Sequence, residues 1–232
     1  MRLASFVACL SLAFAASAAD KRETRDASGF QGIGVSAPIT VLLTQGDTES
    51  LVVEGDDSAL AELDTYVENG TLHLRQRTKE HVRLMGKVKA YVTAREIRTL
   101  AISGSGDIRA TALRTGDVKL AIAGSGDIHV ERLTAAKVVA AIGGSGDIVV
   151  AGTADSLDGS VAGSGDLRAG KLEVAEAKIS IAGSGDVVLW ARSSLTASIV
   201  GSGDVRYYGD PALRKTSVIG SGSFRRMGAS PS

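Results

Sequence analysis

One short glycine-rich motif recurs along the C-terminal two-thirds of this sequence at nearly constant spacing. Six copies read Gly-Ser-Gly-Asp and a seventh reads Gly-Ser-Gly-Ser; they begin at Gly104, Gly124, Gly144, Gly163, Gly183, Gly201 and Gly220. Consecutive copies are 20, 20, 19, 20, 18 and 19 residues apart. A repeat this short and this regular is typical of a solenoid, in which each unit packs only against its neighbours.

Apolar and polar residues alternate on both sides of the motif. Two positions before each first glycine the residue is isoleucine or valine: Ile102, Ile122, Ile142, Val161, Ile181, Ile199 and Val218. The position after the motif is also apolar: Ile108, Ile128, Ile148, Leu167, Val187, Val205 and Phe224. This alternation predicts a strand on either side of a sharp corner.

Stacking of these units predicts an all-β fold, a right-handed parallel β-helix (β-solenoid) of about seven coils of 18 to 20 residues each. Equivalent side chains would form continuous columns, with the β-branched residues inside. We expect the corner glycines to adopt a positive φ, because glycine has no Cβ to oppose that conformation.

The first nineteen residues have the pattern of a secretory signal peptide. Arg2 precedes an apolar run from Leu3 to Ala16, and small residues follow at 16–19. The apolar run is too short to span a bilayer. Cys9 lies in this segment and is the only cysteine, so we expect no disulfide, and a lipid anchor on Cys9 is a less favoured alternative. We therefore expect an exported protein that is periplasmic, on the outer-membrane surface or extracellular.

Residues 28–98 lack the motif but are rich in predicted strands, at 30–35, 39–45, 51–54, 66–68, 72–76 and 88–93. Asn69-Gly70 predicts a tight hairpin turn, and residues 57–63 predict a short helix. We expect this irregular part to cap the solenoid or to form its first coils, because an uncapped end exposes a sheet edge. Because no Pro- or Ser-rich linker separates the two parts, we predict a single domain at 20–227, whose repeat coils span 99–227, followed by a tail at 228–232.

The charges of the whole chain cancel, with 26 basic and 26 acidic residues, so we expect no nucleic-acid partner. They are nevertheless segregated: residues 46–70 hold eight acidic residues and no Lys or Arg, whereas residues 73–98 hold eight basic and two acidic residues. Two interpretations stay open. The segments neutralise each other as solvated faces, or the basic segment binds an anionic glycan or lipid headgroup.

Residues 28 to about 226 resemble the bacterial GIN-domain family of autotransporter-adhesin head domains. The matching segments are Phe30-Gln-Gly-Ile33, Val41 through Gly46, Val53-Glu54-Gly55, Asn69-Gly70-Thr71-Leu72 and the Gly-Ser-Gly-Asp repeats. The resemblance implies an envelope-associated β-helix with an adhesin-like binding role and no assigned biochemical activity. No translocator domain follows the repeats in this sequence, so we do not expect the protein to export itself.

The last residue of each motif forms the first candidate site, a column of carboxylates at Asp107, Asp127, Asp147, Asp166, Asp186 and Asp204. One hypothesis is that this column binds Ca²⁺ between coils. We favour a structural role without a cofactor, in which each carboxylate bonds backbone N–H groups at its own corner or the serine of the next coil. Arg109, Arg168 and Arg206 would supply counter-charge.

The second candidate site is an outward stripe late in the solenoid. Trp190 and Tyr208 are predicted to share one column in adjacent coils, beside Arg168, Arg206 and Arg225. An aromatic platform flanked by guanidinium groups suits a sugar ring or an anionic saccharide. Outward aromatic residues can equally cover neighbouring strands or a dimer contact. We expect a glycan or an envelope protein as the partner, and leave the oligomeric state open.

Three functions stay open. We favour a non-catalytic scaffold or binding module; the alternatives are a polysaccharide-active lyase or hydrolase and a structural protein that oligomerises along its solenoid. We do not expect an enzyme, because coils of 18 to 20 residues leave no long loops to wall a cleft. His73, His81 and His129 also lack the spacing of metal ligands or a catalytic triad.

Overall fold

The computed structural model describes residues 20–77 and 88–231, so the predicted signal peptide at 1–19 and His81 lie outside the described residues. The described residues form eighteen strands and one short helix. In chain order these are β1 (Lys21–Arg25), β2 (Gly32–Val35), β3 (Thr40–Gln45), β4 (Ser50–Gly55), α1 (Asp57–Glu62), β5 (Leu63–Glu68), β6 (Thr71–Gln76), β7 (Lys89–Ala94), β8 (Thr99–Ile102), β9 (Asp107–Ala110), β10 (Leu113–Arg114), β11 (Asp117–Ile122), β12 (Ile128–Gly144), β13 (Ile148–Gly163), β14 (Leu167–Gly183), β15 (Val187–Gly201), β16 (Val205–Tyr208), β17 (Leu213–Gly220) and β18 (Phe224–Gly228).

The strands stack into two long sheets and a shorter third one. Sheet I runs in the order β5, β6, β2, β8, β11, the C-terminal halves of β12 to β15, and β17. Sheet II runs in the order β1, β4, β7, β3, β9, the N-terminal ends of β12 to β15, β16 and β18. Sheet III contains β10 and the middle segments of β12 to β15. Each long strand therefore passes through all three sheets within one coil.

Parallel register joins equivalent residues of successive coils. Ile122 pairs with Ile142, Ile142 with Val161, and the same column continues to Val218. The predicted all-β parallel β-helix is thus confirmed. It has about six turns where about seven were predicted.

The N-terminal third both extends the solenoid and closes its end. β2 and β3 pair in parallel with repeat strands β8 and β9 on one side and with β6 and β7 on the other. Beyond β6 and β7 lie the antiparallel strands β5, β4 and β1. The predicted helix is present as α1, whose Ala59 and Leu60 are buried. Sequence reasoning missed β1, because its Lys-Arg-Glu-Thr-Arg sequence has no apolar alternation.

One apolar core runs through the coils. Its members are the inward residues of the sheets, such as Leu120, Leu189 and Ile199, and within the described part of the chain no polar or charged residue is buried. Burial alternates along the repeat strands before β17, as in β12, where Val138, Ala140 and Ile142 are buried and the residues between them are partly exposed. The period of two in the sequence is therefore the period of burial.

The corner positions require glycine for two reasons, and only the positive φ was predicted. A positive φ is present at the first glycine of the last five corners, for example 147° at Gly144. The second glycines do not have it. A Cβ on Gly126 would instead lie 1.8 Å from the carbonyl oxygen of Gly106, and a Cβ on Gly165 would lie 2.1 Å from that of Gly146. Stacked corners approach so closely that no side chain fits between them.

Candidate functional site

The six motif aspartates form one continuous hydrogen-bonded ladder. In each of the first five, Oδ1 accepts the backbone N–H of the aspartate one coil later, at 3.2 Å for the first step and 2.9 Å for the other four. Each carboxylate therefore bonds one coil ahead, and not at its own corner as one form of the structural hypothesis expected. The corners stack so that every Oδ1 points at the next backbone amide.

The ladder ends at the seventh corner, where serine replaces aspartate. Oδ1 of Asp204 accepts both the backbone N–H of Ser223, at 2.9 Å, and its hydroxyl, at 2.8 Å. The Ser223 hydroxyl is the main reason why the pKa of Asp204 lies below its usual value. A hydroxyl thus supplies at the end of the ladder an additional donor that its interior steps lack.

Two of the predicted arginines bridge the second carboxylate oxygens. Nη2 of Arg168 lies 2.9 Å from Oδ2 of Asp147 and 3.1 Å from Oδ2 of Asp166. Nη2 of Arg206 lies 2.5 Å from Oδ2 of Asp186 and 3.9 Å from Oδ2 of Asp204. These contacts offset repulsion between carboxylates that are one strand apart.

The first two rungs have no such bridge among the described residues, where neither Asp107 nor Asp127 makes an ion pair and Arg109 makes none either. The described residues also contain no group of three or more His, Cys, Asp or Glu side chains that could hold a metal ion. The aspartate column is held by hydrogen bonds between coils and by ion pairs both within and between coils.

A groove of about 330 Å³ opens on the outer side of the solenoid, around the N-terminal ends of strands β13 to β16. It crosses four successive coils. Its lining residues are Val149, Val150, Ala151, Arg168, Gly170, Lys171, Val188, Tyr208 and Pro231. Apolar groups dominate this lining. The groove is therefore a mainly apolar surface that also carries two cations, Arg168 and Lys171.

The absence of a side chain at Gly170 makes room for Val188. A Cβ on Gly170 would lie 2.9 Å from Cγ1 of Val188, too close for an ordinary contact, and 3.6 Å from Cε2 of Tyr208, an ordinary van der Waals distance. The Tyr208 ring of β16 therefore reaches back to Gly170 of β14, two coils earlier, and lines the groove.

The other predicted members of the stripe lie around this groove. Trp190 pairs in register with Tyr208 and is half-buried beside it, but does not line the groove. The three predicted arginines, Arg168, Arg206 and Arg225, share one column with Val188, in register from coil to coil. Arg206 is held by the aspartate ladder, whereas Arg225 is exposed.

Lys171 is the groove residue that sequence reasoning missed and that matters most for charge. Two cationic side chains line the groove. The guanidinium of Arg168 is held by two carboxylates, whereas the ammonium group of Lys171 makes no ion pair with any described residue. Lys171 lies at a register shift between β13 and β14. That shift breaks the period on which sequence columns depend, so no pattern in the sequence placed it beside Tyr208.

The two described histidines have ordinary surface environments. His73 stacks on Tyr66, with ring centroids 5.0 Å apart and an interplanar angle of 17°. His129 is exposed in the column of Arg109 and Val149. From the sequence we predicted that neither His73 nor His129 is a catalytic or metal-binding residue.

The segregated charges of the N-terminal third meet only in part. Nη2 of Arg75, in the basic segment, lies 2.9 Å from Oδ2 of Asp64 in the acidic segment. Glu54 and Asp57 of the acidic segment pair instead with Arg22 and Lys21 of β1, outside the basic segment. The Arg75 guanidinium also lies over the Tyr66 ring, 4.8 Å from its centroid. Residues 78–87, which hold three of the eight basic residues of that segment, lie outside the described part. No described helix is long and apolar enough to cross a membrane.

Comparison with crystal structures supports the same architecture. A structure named as a "putative adhesin" from Bacteroides fragilis NCTC 9343 is 25% identical, with a TM-score of 0.86 over 90% of this chain and 97% of that one. A "putative lipid binding protein" from Parabacteroides distasonis ATCC 8503 is 25% identical, with a TM-score of 0.73 over 91% and 98%. A "putative adhesin" from Parabacteroides merdae ATCC 43184 is 21% identical, with a TM-score of 0.70 over 91% and 97%.

Sequence comparison identifies the family directly. No curated protein matches the sequence. Residues 29–211, which include the irregular N-terminal coils and five complete repeats, match the family described as "Putative auto-transporter adhesin, head GIN domain". The chain therefore belongs to the GIN-domain family of adhesin-like head domains.

Proposed function

We propose that this protein is an exported, non-catalytic binding module of the cell envelope, and that the groove beside Tyr208 binds an acidic saccharide. The observation that carries the proposal is the combination of an aromatic ring, an apolar floor and an ion-pair-free ammonium group in one groove. Membership of an adhesin-like family supports a surface or exported location and a binding role.

Each part of the groove has a role in this proposal. The face of the Tyr208 ring stacks on the C–H groups of a sugar ring, and Val149 and Val188 extend that apolar surface. The Lys171 ammonium pairs with a carboxylate, sulfate or phosphate on the sugar. Arg168 keeps N–H groups beyond those used by the two aspartates, since a guanidinium has five, and these can donate to sugar hydroxyls.

The chemistry of the lining favours binding over turnover. Most glycoside hydrolases use a pair of carboxyl groups on either side of the scissile bond. None of the residues that line this groove is Asp, Glu or His, and all of them lie in the described part of the chain. The ladder carboxylates nearest to it, Asp147 and Asp166, are already bonded to Arg168 and to backbone amides.

The test is binding to an array of acidic and neutral saccharides, followed by calorimetry on the best ligand. Tyr208→Ala should weaken binding of all ligands about tenfold, because it removes a stacking interaction of about 1–1.5 kcal/mol. Lys171→Gln should weaken only the acidic ligands. Lys119→Gln removes the same charge from an exposed lysine on sheet I and serves as the matched control. Equal binding by all variants, or release of a cleaved product, would contradict the proposal.

A second candidate ligand is an anionic lipid. It is favoured by the mainly apolar lining of the groove and by the name of the Parabacteroides distasonis neighbour. Vesicles containing phosphatidylglycerol separate the two candidates. Co-sedimentation with these vesicles that is lost in Tyr208→Ala, together with no response on the saccharide array, would assign the groove to lipid.

A further inference from the structure

The two ends of the solenoid are finished differently. At the N-terminal end α1 covers the core, and Ala59 and Leu60 are only 2% and 1% exposed. At the C-terminal end every residue of β17 is exposed. Val218 is 41% exposed, although Ile199, its partner one coil earlier, is 1% exposed. The described residues place no further element on this last coil.

Both long sheets finish in unpaired strand edges. Within residues 20–77 and 88–231, β17 pairs only with β15, and β18 only with β16. At the opposite end β5 pairs only with β6, and β1 only with β4. An unpaired edge presents a row of N–H and C=O groups to which another strand can bind.

The two ends carry opposite charge. Residues 209–228 contain one acidic residue and four basic residues, Arg214, Lys215, Arg225 and Arg226. At the opposite end, residues 56–68, which include α1 and β5, contain five acidic residues and no Lys or Arg, and residues 20–26, which include β1, add three acidic and three basic residues. Lys21 pairs with Asp57 and Arg75 with Asp64, and the N-terminal end keeps a net negative charge. Contact between two C-terminal ends would bring like charges together. Contact between a C-terminal and an N-terminal end brings opposite charges together, so the charges select one orientation.

The strand directions fit this orientation. β6 is parallel to the rest of sheet I and β5 is antiparallel to β6, so β5 runs opposite to β17. An antiparallel ladder between β17 of one molecule and β5 of another would place the start of β17 opposite the end of β5. Lys215 would then lie close to Glu68, an opposite-charge pair across strands.

From these observations we infer that this protein associates head to tail with further copies of itself, with the β17–β18 end of one molecule docked on the α1–β5 end of the next. The association extends the apolar core of one solenoid toward the cap of its neighbour and covers Val218. Because exposed charges orient it, the association weakens as ionic strength rises. This inference does not depend on the saccharide groove.

The experiment uses two charge-reversed variants and sedimentation velocity over a wide range of protein concentrations. The first variant is Lys215→Glu/Arg225→Glu, which alters the C-terminal end. The second is Asp56→Lys/Glu68→Lys, which alters the N-terminal end; Asp56 makes no side-chain capping bond to α1, so its replacement removes no hydrogen bond from the helix. Lys119→Glu, in the middle of the solenoid, is the matched control, and circular dichroism checks that each variant is folded.

The wild-type protein and Lys119→Glu should form species whose mass increases with concentration and decreases with salt. Each end variant alone should associate at least about tenfold more weakly, and a mixture of the two should associate again, since each retains one unaltered end. Wild-type protein that stays monomeric, or end variants that associate like the wild type, would overturn the inference. A monomer that binds polyglutamate at β17 would assign the edge to a different, acidic partner and would overturn it too.

Discussion

Gly165 is the position at which contact between coils can be tested most directly. A Cβ added there would lie 2.1 Å from the carbonyl oxygen of Gly146 and 3.0 Å from Cγ2 of Ile142. An ordinary contact begins near 3.4 Å, so Gly165→Ala needs the two corners to separate by about 1.3 Å. The obstacle is backbone, which cannot turn away as a flexible side chain could.

The size of the effect follows from the bonds that hold these corners together. The Gly165 and Ser164 amides donate to the Gly144 carbonyl at 3.1 and 2.9 Å, and the Asp166 amide donates to Oδ1 of Asp147 at 2.9 Å. Separation by more than 1 Å breaks or weakens all three. At about 0.5–1.5 kcal/mol per bond, the free energy of unfolding should fall by about 2–4 kcal/mol.

Gly116→Ala is the matched control, because a Cβ at Gly116 meets no heavy atom within 4 Å and its φ is not positive. The Gly116 carbonyl, which accepts the amides of Ala136 and Lys137, is unaffected by the added methyl group. Restricting the unfolded chain should leave this variant as stable as the wild type, or about 0.4–1 kcal/mol more stable.

The assay is urea unfolding followed by far-ultraviolet circular dichroism, with the free energy taken from the midpoint and slope of the transition. A lower midpoint for Gly165→Ala with no loss for Gly116→Ala is the expected result. Similar midpoints for the two variants would refute the reasoning, because the glycine would then be dispensable and close stacking would not explain the repeat.

Three further predictions concern the ladder and the core. Asp127→Ala removes the acceptor for the Asp147 amide and should cost about 1 kcal/mol of unfolding free energy in urea, whereas Asp127→Asn keeps an acceptor oxygen, removes like-charge repulsion and should cost nothing. Ser223→Ala should raise the pKa of Asp204 toward its usual value, which carboxyl chemical shifts in an NMR titration would show. Since the folded-state pKa of Asp204 is lowered, its contribution to stability is present above the unfolded-state pKa and is lost as pH falls through the folded-state value; the melting temperature of Ser223→Ala should therefore fall less than that of the wild type on acidification. Ile179→Ala, in the buried column beside Gly159, should lower the unfolding free energy by about 2–5 kcal/mol in the same urea assay.

The repeat architecture could be predicted because it depends on period alone. A spacing of 18 to 20 residues and an alternation of two place Ile122, Ile142 and Val161 in one column whatever surrounds them. The direction of the aspartate ladder could not be predicted in the same way. The direction depends on where each carboxylate lies along the solenoid axis relative to the backbone amide of the next corner. The spacing of the motifs in the sequence does not determine that position.

The groove was predictable only in part. Tyr208 and Arg168 were expected on one face and do line it. The position of Lys171 depends on a register shift, and the Tyr208 ring reaches back to Gly170, two coils earlier, which the sequence columns did not predict. Arg168 and Arg206 were predicted both to balance the aspartates and to flank the aromatic stripe. Each does pair with the carboxylates of its own and the preceding coil, and of the two only Arg168 lines the groove.

The most repetitive part of this chain is therefore the least informative about its ligand. Corner glycines are fixed by backbone contact between coils, and the aspartates by the amides of the next coil, so both would be needed whatever the solenoid binds. The outward column two positions after the aspartate makes no contact that fixes its residue type, and successive coils have Arg109, His129 and Val149 there. The groove lies where that column reads Val149, Arg168 and Val188, with small or flat groups beside them. Specificity in such a solenoid should follow the positions at which the repeat is broken, and exchange of outward residues between coils should move the ligand site without changing the fold.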